Sequence, residues 1–533
     1  MSSSTSPVSS EKEIHDIINA IASVLKNRQD DTAAASSSSI LSSSSGSTPS
    51  SSASTNASPE SSSKYSDKYF NTHADEYIEF TYASPTIYHV IDYFSKKLTA
   101  KGFKYVSEKD SWDSLTPGKY FTVRNSSLAA FIVGKDWTPE KGVGIIGSHI
   151  DALTVILKPN STKEKVEGYE LLGVAPYAGT LGDVWWDRDL GVGGRLLVKD
   201  PKTGKVSQKL VDSTPNPIAH IPTLAPHFGT PAVGPFNKET QAVPVIGFST
   251  EEAAEPTEEE KSAPLYGKHS LNFLRYISKA AGVKLSDIVQ WDLQLYDIQK
   301  GTKGGLNKEF VFAPRIDDRV CSFAAIYALL EADEDDLVKS DAFSLVGLFD
   351  NEEIGSATRQ GIKGGLIESV VSRVLSTSYF NPESYDVQEQ IRLTYSNTII
   401  LSADVNHLLN PNFSSVYLEH HKPVPNSGIT IALDPNGHMA TDSTGLALVE
   451  ELARINKDPI QYFQIRNDSR SGGTIGPSIS LQTGARTIDL GIPQLSMHSI
   501  RATVGTKDIG LGVKFFAGFF ANWRKTYDNY TDL

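Results

Sequence analysis

Cysteine is almost absent from this chain. Its 533 residues contain one, Cys321. A single thiol excludes an intrachain disulfide and fits folding in a reducing compartment, without excluding a later lytic one. A basic surplus is also missing. Lysine and arginine total 50 against 63 aspartates and glutamates, for a formal net charge of -13. That balance speaks against a nucleic-acid partner, which needs a basic face to replace counterions. It says nothing about fold. No apolar run of about 20 residues occurs, so no membrane span is expected. The opening "MSSSTSPVSS" has neither a basic n-region nor an apolar h-region, so no secretory signal is expected.

Three regions differ in composition. Residues 1–31 contain "EKEIHDIINAIASVLKNRQ", with Ile14, Ile17, Ile18, Ile21, Val24 and Leu25 at helical spacing. A helix this short is marginal alone, so its stripe needs a partner. Residues 32–66 are dominated by serine and cannot bury enough apolar area to offset chain entropy. They are expected to be a flexible linker. The remainder reads as globular.

Within the globular part, apolar runs end in acidic or histidine residues. "VGIIG" precedes His149 and Asp151, "TIIL" precedes Asp404, and "FSLVGLF" precedes Asp350, Glu352 and Glu353. His498 follows a strand and a proline break in "TIDLGIPQLSMHS". Asp317 and Asp318 open the helical run "IDDRVCSFAAIYALLEA". Strands alternating with helices predict an α/β, doubly wound sheet. Sites in such sheets gather beyond the carboxyl ends of the strands. Residues 158–300 are rich in proline, glycine and short β-like runs, and read as a β-rich domain inserted between 67–157 and 301–533.

The convergent residues carry imidazole and carboxylate and no thiol. That donor set suits Zn, Co or Mn. Three carboxylates in "DNEE" repel one another unless cations lie beside them. One glutamate can then bind metal while the other remains a general base. Each residue also has an ordinary reading. Acidic pairs after strands are commonly helix caps or solvated loop charges. His407 competes with Asp404, because both follow one strand. "SGGTIGP" reads equally as a turn.

Taken together, "GSHIDALTVILKP", "APRIDDRVCSFAA", "DNEEIGSATRQGIKGGL", "LSADVNHLLNPNF" and "SGGTIGPS…QLSMHSIRA" resemble the aspartyl aminopeptidase and vacuolar aminopeptidase I family of dinuclear zinc exopeptidases. "LAPHFG", "ALDPNGHMATD" and "LGVKFFAGFF" are similar to its fungal vacuolar branch. The likeness runs from Asp67 to Leu533. It implies a zinc-exopeptidase-like sheet with an inserted β-rich dimerisation domain. It implies two Zn2+ per subunit, with Co2+ or Mn2+ as possible substitutes. Asp317 would bridge them. His149 and Asp404 would complete one site, and Glu353 and His498 the other. Glu352 would be the general base and Asp151 would orient His149. His227 would act on a neighbouring subunit's site within a dodecamer.

The likeness further implies a peptide-hydrolysing enzyme in the vacuole, delivered from the cytoplasm through an N-terminal helix that clusters copies and meets a selective-autophagy receptor. Asn436 stands where aspartyl aminopeptidases hold a lysine against acidic substrates. Neutral, Leu-like N-terminal residues are therefore expected, with an acidic preference as the alternative. A two-metal phosphoesterase would want an Arg and Lys cluster near these segments. A non-catalytic cargo scaffold would lack a ligand or the base.

Overall fold

The computed structural model describes residues 64–250, 254–332 and 336–530. The predicted N-terminal helix and most of the serine-rich linker lie outside the described residues.

A nine-stranded sheet organises the chain. Its order is Lys104–Tyr105, Gly118–Arg124, Ser127–Val133, Phe343–Phe349, Gly144–His149, Ile399–Ala403, Arg486–Gly491, Ile429–Ala432 and Ile460–Phe463. The four strands from Phe343–Phe349 to Arg486–Gly491 run parallel. Strands covered on both faces read as unbroken apolar runs, which is why "FSLVGLF" is buried at every position. Alternation then divides the core. Leu128, Ala130 and Ile132 face one apolar cluster, while Ala129, Phe131 and Val133 face the other.

Helices cover both faces. Helix Ile316–Ala332 is buried along nearly its whole length and packs with helix Thr506–Tyr527 on one side. Helices Leu366–Leu375 and Gly476–Thr483 cover the other. The arrangement is the expected doubly wound α/β sheet.

Residues 154–297 supply a separate six-stranded antiparallel sheet, in the order Val206–Asp212, Leu190–Lys199, Ile288–Asp297, Thr154–Thr162, Tyr169–Tyr177 and Val245–Phe248. It has its own core, in which Trp185, Leu196 and Trp291 meet Phe273 and Ile277 of helix Leu271–Ala281. Its first strand begins almost directly after Asp151, ahead of the change in composition. A third, five-stranded sheet joins Thr302–Gly304, Phe310–Ala313, Ala502–Gly505, Pro493–Leu495 and Asn406–His407. This small sheet ties the segments leading into Asp317 and His498. Among the described residues no helix is long and apolar enough to cross a membrane.

Candidate metal centre

His149 ends its strand, Asp404 follows the adjacent parallel strand, and Glu352 and Glu353 follow the strand on the other side. All therefore arrive at one edge of the sheet. Asp317 reaches the same edge from the first residues of helix Ile316–Ala332, where Asp317 and Asp318 depart from helical backbone angles. The Asp317–Asp318 peptide bond is cis. The turn carrying the glutamates is bracketed by left-handed backbone at Asn351 (φ 65°) and Gly355 (φ 95°). Asparagine and glycine are the residues that visit this region readily.

Two groups of potential ligand atoms result. His149, Asp317 and Asp404 form one, and Asp317, Glu353 and His498 the other; within each group the atoms lie within 4.8 Å of one another. Asp317 belongs to both. Its Oδ1 is 3.2 Å from His149 Nε2, and its Oδ2 is 3.7 Å from His498 Nε2. Asp404 Oδ1 lies 3.6 Å from His149 Nε2, and Glu353 Oε2 lies 3.6 Å from His498 Nε2. Glu352 Oε2 stands further off, 4.0 Å from the same His149 nitrogen.

Asp151 holds the assembly from behind. Its Oδ1 is 3.3 Å from His149 Nδ1 and accepts the Glu352 N–H at 3.1 Å. Its Oδ2 accepts the Glu353 N–H at 3.2 Å and the Tyr177 hydroxyl at 2.7 Å. Asp151 thus meets the imidazole both with its carboxylate and, at 3.2 Å, with its own carbonyl, while the carboxylate anchors the glutamate turn.

The electrostatics call for cations. Burial, with Asp317 adding repulsion, pushes Glu353 up to about 10. Burial pushes Glu352 up to about 8; His149 opposes this, while Asp404, Asp151 and Asp317 add to it. Burial raises Asp404 as well. Burial works against a charged His149, but its contacts with Asp151, Asp317 and Asp404 outweigh that and hold it well above its ordinary value. Glu353 Oε1 is buried with no hydrogen-bond partner. Buried carboxylates lacking partners are costly unless they coordinate metal. Two imidazoles with carboxylates are the donor set that zinc takes. The residues present therefore fit zinc.

Other residues flagged in the sequence fall elsewhere. The ring of His407 packs 5.1 Å from that of Phe463, and His407 belongs to neither ligand group. Asp404, by contrast, belongs to the group with His149 and Asp317. His227 is exposed in a short turn, Pro226–Phe228, of the 154–297 region. "SGGTIGP" runs into helix Gly476–Thr483, and its Thr474 hydroxyl donates to Asp489 at 2.6 Å. Sequence reasoning missed Tyr177 and gave Asp318 no role. Asp318 is fully buried, and its Oδ2 accepts the His149 N–H at 3.3 Å. A tyrosine closing a strand carries no local signal that could have found Tyr177.

A family model of aminopeptidase I zinc metalloproteases (M18) matches residues 80–520. The chain belongs to that family. It is a zinc-dependent aminopeptidase. Vacuolar aminopeptidase 1 of Saccharomyces cerevisiae is 60% identical over 468 residues, covering 86% of this chain and 90% of the relative. The aspartyl aminopeptidase of Aspergillus oryzae is 39% identical over 480 residues, covering 85% of this chain and 96% of the relative. Among solved structures, the mApe1 dodecamer of S. cerevisiae aligns with a TM-score of 0.79 at 55% identity, covering 87% of this chain and all of that one. Membership in the family sets aside the phosphoesterase reading.

Proposed function

We propose that this aminopeptidase uses two zinc ions per subunit, bridged by Asp317, to remove neutral, apolar residues from peptide N-termini. The observation that carries the reading is that Asp317 belongs to both ligand groups. His149 and Asp404 would hold one ion, and Glu353 and His498 the other; Co2+ or Mn2+ could stand in. Zinc bound there supplies Lewis acidity toward the scissile carbonyl and acidifies water. Glu352 takes a proton from the attacking water and passes it to the leaving amine. It belongs to neither ligand group, and its Oε2 lies 4.0 Å from His149 Nε2. Asp151 keeps the imidazole and the glutamate turn in register. Metal content and turnover of Glu352→Gln test the assignment: both ions should stay and turnover should collapse.

The apolar preference draws support from two places. Asn436 Nδ2 donates to Asp434 Oδ1 at 3.2 Å, and the His438 ring pairs with Asp434 Oδ2. A carboxylate therefore already occupies that segment, where a substrate acid would need a cation. The cavity beside Glu353 and His498 includes Ala152, Leu153, Trp185, Ile316 and Ile500 in its wall. Arg315 also lines it, but spends its terminal nitrogens on the carbonyls of Asp297 and Thr81.

The likeness to vacuolar aminopeptidase 1 and to the mApe1 dodecamer supports action in the vacuole as a dodecamer. In such an assembly His227, exposed in the lone subunit, would face a neighbouring site and bind the developing oxyanion. The 154–297 sheet would serve assembly. Residues 1–31 would form the amphipathic helix that clusters copies and meets an autophagy receptor, with 32–66 as the tether. Polar replacements of Ile17, Ile18 and Ile21 should abolish clustering and vacuolar delivery while leaving peptidase activity. Delivery that survives them would leave the helix without that role.

A further inference from the structure

Tyr177 closes strand Tyr169–Tyr177 of the antiparallel sheet, yet its hydroxyl donates to Asp151 Oδ2, 2.7 Å away at the edge of the other sheet. The tyrosine is fixed from its own side. Its backbone pairs with Thr154, and the Thr180 hydroxyl donates to the carbonyls of Thr154 at 2.7 Å and of Tyr177 at 3.2 Å. It is held from the other side too. Asn351 Nδ2 donates to the Tyr177 oxygen at 3.0 Å, and the Thr358 hydroxyl donates to Asn351 Oδ1 at 2.8 Å. Asn351 is the residue immediately before Glu352.

Asp151 has two oxygens to satisfy four neighbours: the imidazole of His149, the N–H groups of Glu352 and Glu353, and the phenol. An ionised carboxylate offers about four lone-pair sites, so the set is filled. The phenol is the only one of the four that comes from the antiparallel sheet. We infer that Tyr177 is a positioning residue: it locks the rotation of Asp151 and so ties the 154–297 sheet to the orientation of His149 and of the glutamate turn. This rests on His149 being a zinc ligand. Tyr177 belongs to neither ligand group, so it acts on them through Asp151, with Asn351 as its other partner.

The test uses the full-length, zinc-loaded protein and its Tyr177→Phe variant. Losing an outer partner of a metal ligand costs roughly 10- to 100-fold in metal affinity or activity, and a partner one step further out belongs at the lower end. Tyr177→Phe should lower kcat roughly 10-fold with KM within about twofold, and should release zinc to a chelator roughly 10-fold more readily. The visible absorption of its cobalt-substituted form should shift, with Tm and oligomer size unchanged. In an Asp151→Asn background the same change should add almost nothing, because the two act through one group. Normal turnover and zinc retention in Tyr177→Phe, or additive losses in the double variant, would overturn the inference. If Tyr177→Phe fails to assemble, Asn351→Gly removes the amide contact to the same hydroxyl together with the Thr358 bond to Asn351 Oδ1; it should shift zinc release in the same direction, and no shift overturns the inference. Wild-type zinc retention by Asp151→Asn would instead remove the reading on which the inference rests.

Discussion

Asp317 presents different oxygens to His149 and His498 at closest approach. Oδ1 lies 3.2 Å from Nε2, while Oδ2 points to the side where His498 stands. A carboxylate split in this way would serve the two ions proposed above at once. Asp317→Asn should therefore strip both zincs, whereas Asp404→Asn should strip one. Elemental analysis of the purified variants decides it. Loss of a single ion from Asp317→Asn would mean that it does not bridge.

The adjacent glutamates should separate cleanly. Glu352→Gln removes a proton carrier, and general acid–base groups contribute about 10²- to 10⁴-fold. Turnover should fall by that order with both metals retained. Glu353→Gln should lose metal as well, since its Oε2 stands 3.6 Å from His498 and its Oε1 has no other partner. Near-normal turnover of Glu352→Gln would reassign the base.

The metal-free protein should be acid-tolerant and alkali-sensitive around neutrality. Glu352 and Glu353 are raised to about 8 and about 10, so the folded state binds more protons than the unfolded one above their ordinary pKa near 4.5. Stability then falls as pH rises from about 5 through 8. His149, raised by its carboxylates, acts in the same direction: its contribution is present below about 6.5 and lost as pH climbs through its folded value. Zinc offsets the carboxylate repulsion, so loading should flatten the profile and release protons. Thermal unfolding of apo and zinc-loaded protein across that range checks it. Apo stability that increases with pH would contradict the charge balance described.

Specificity should respond to one residue. Leu-amides should be cleaved faster than Asp- or Glu-amides, and Asn436→Lys should narrow the difference by giving the acid a partner. Parallel kcat/KM measurements on the two substrate classes suffice. A wild-type preference for acidic residues would sink the argument.

His227 is exposed, and none of the described residues hydrogen-bonds its ring. His227→Ala should lower turnover while sedimentation reports an unchanged oligomer. A fully active monomer, assayed on the sedimented fraction itself, would rule out a role across subunits.

Much of the site could be read along the chain, because its chemistry sits at fixed places in the fold. Parallel strands buried on both faces are written as apolar runs, and their ends mark one edge of the sheet; His149, Asp404, Glu352 and Glu353 each stand there. Asp317 was legible as the residue opening a long apolar helix. Local sequence cannot specify which side chains meet across sheets. That His407 packs on Phe463 while Asp404 faces His149 could be seen only in the structure, where the five-stranded sheet pairs His407 with Gln494. The bond from Tyr177 to Asp151 likewise joins segments of two sheets with separate cores. Residue type and periodicity determined which groups could bind zinc. Packing between distant segments decided which of them come within reach of one another, since those distances depend on contacts that no single segment contains.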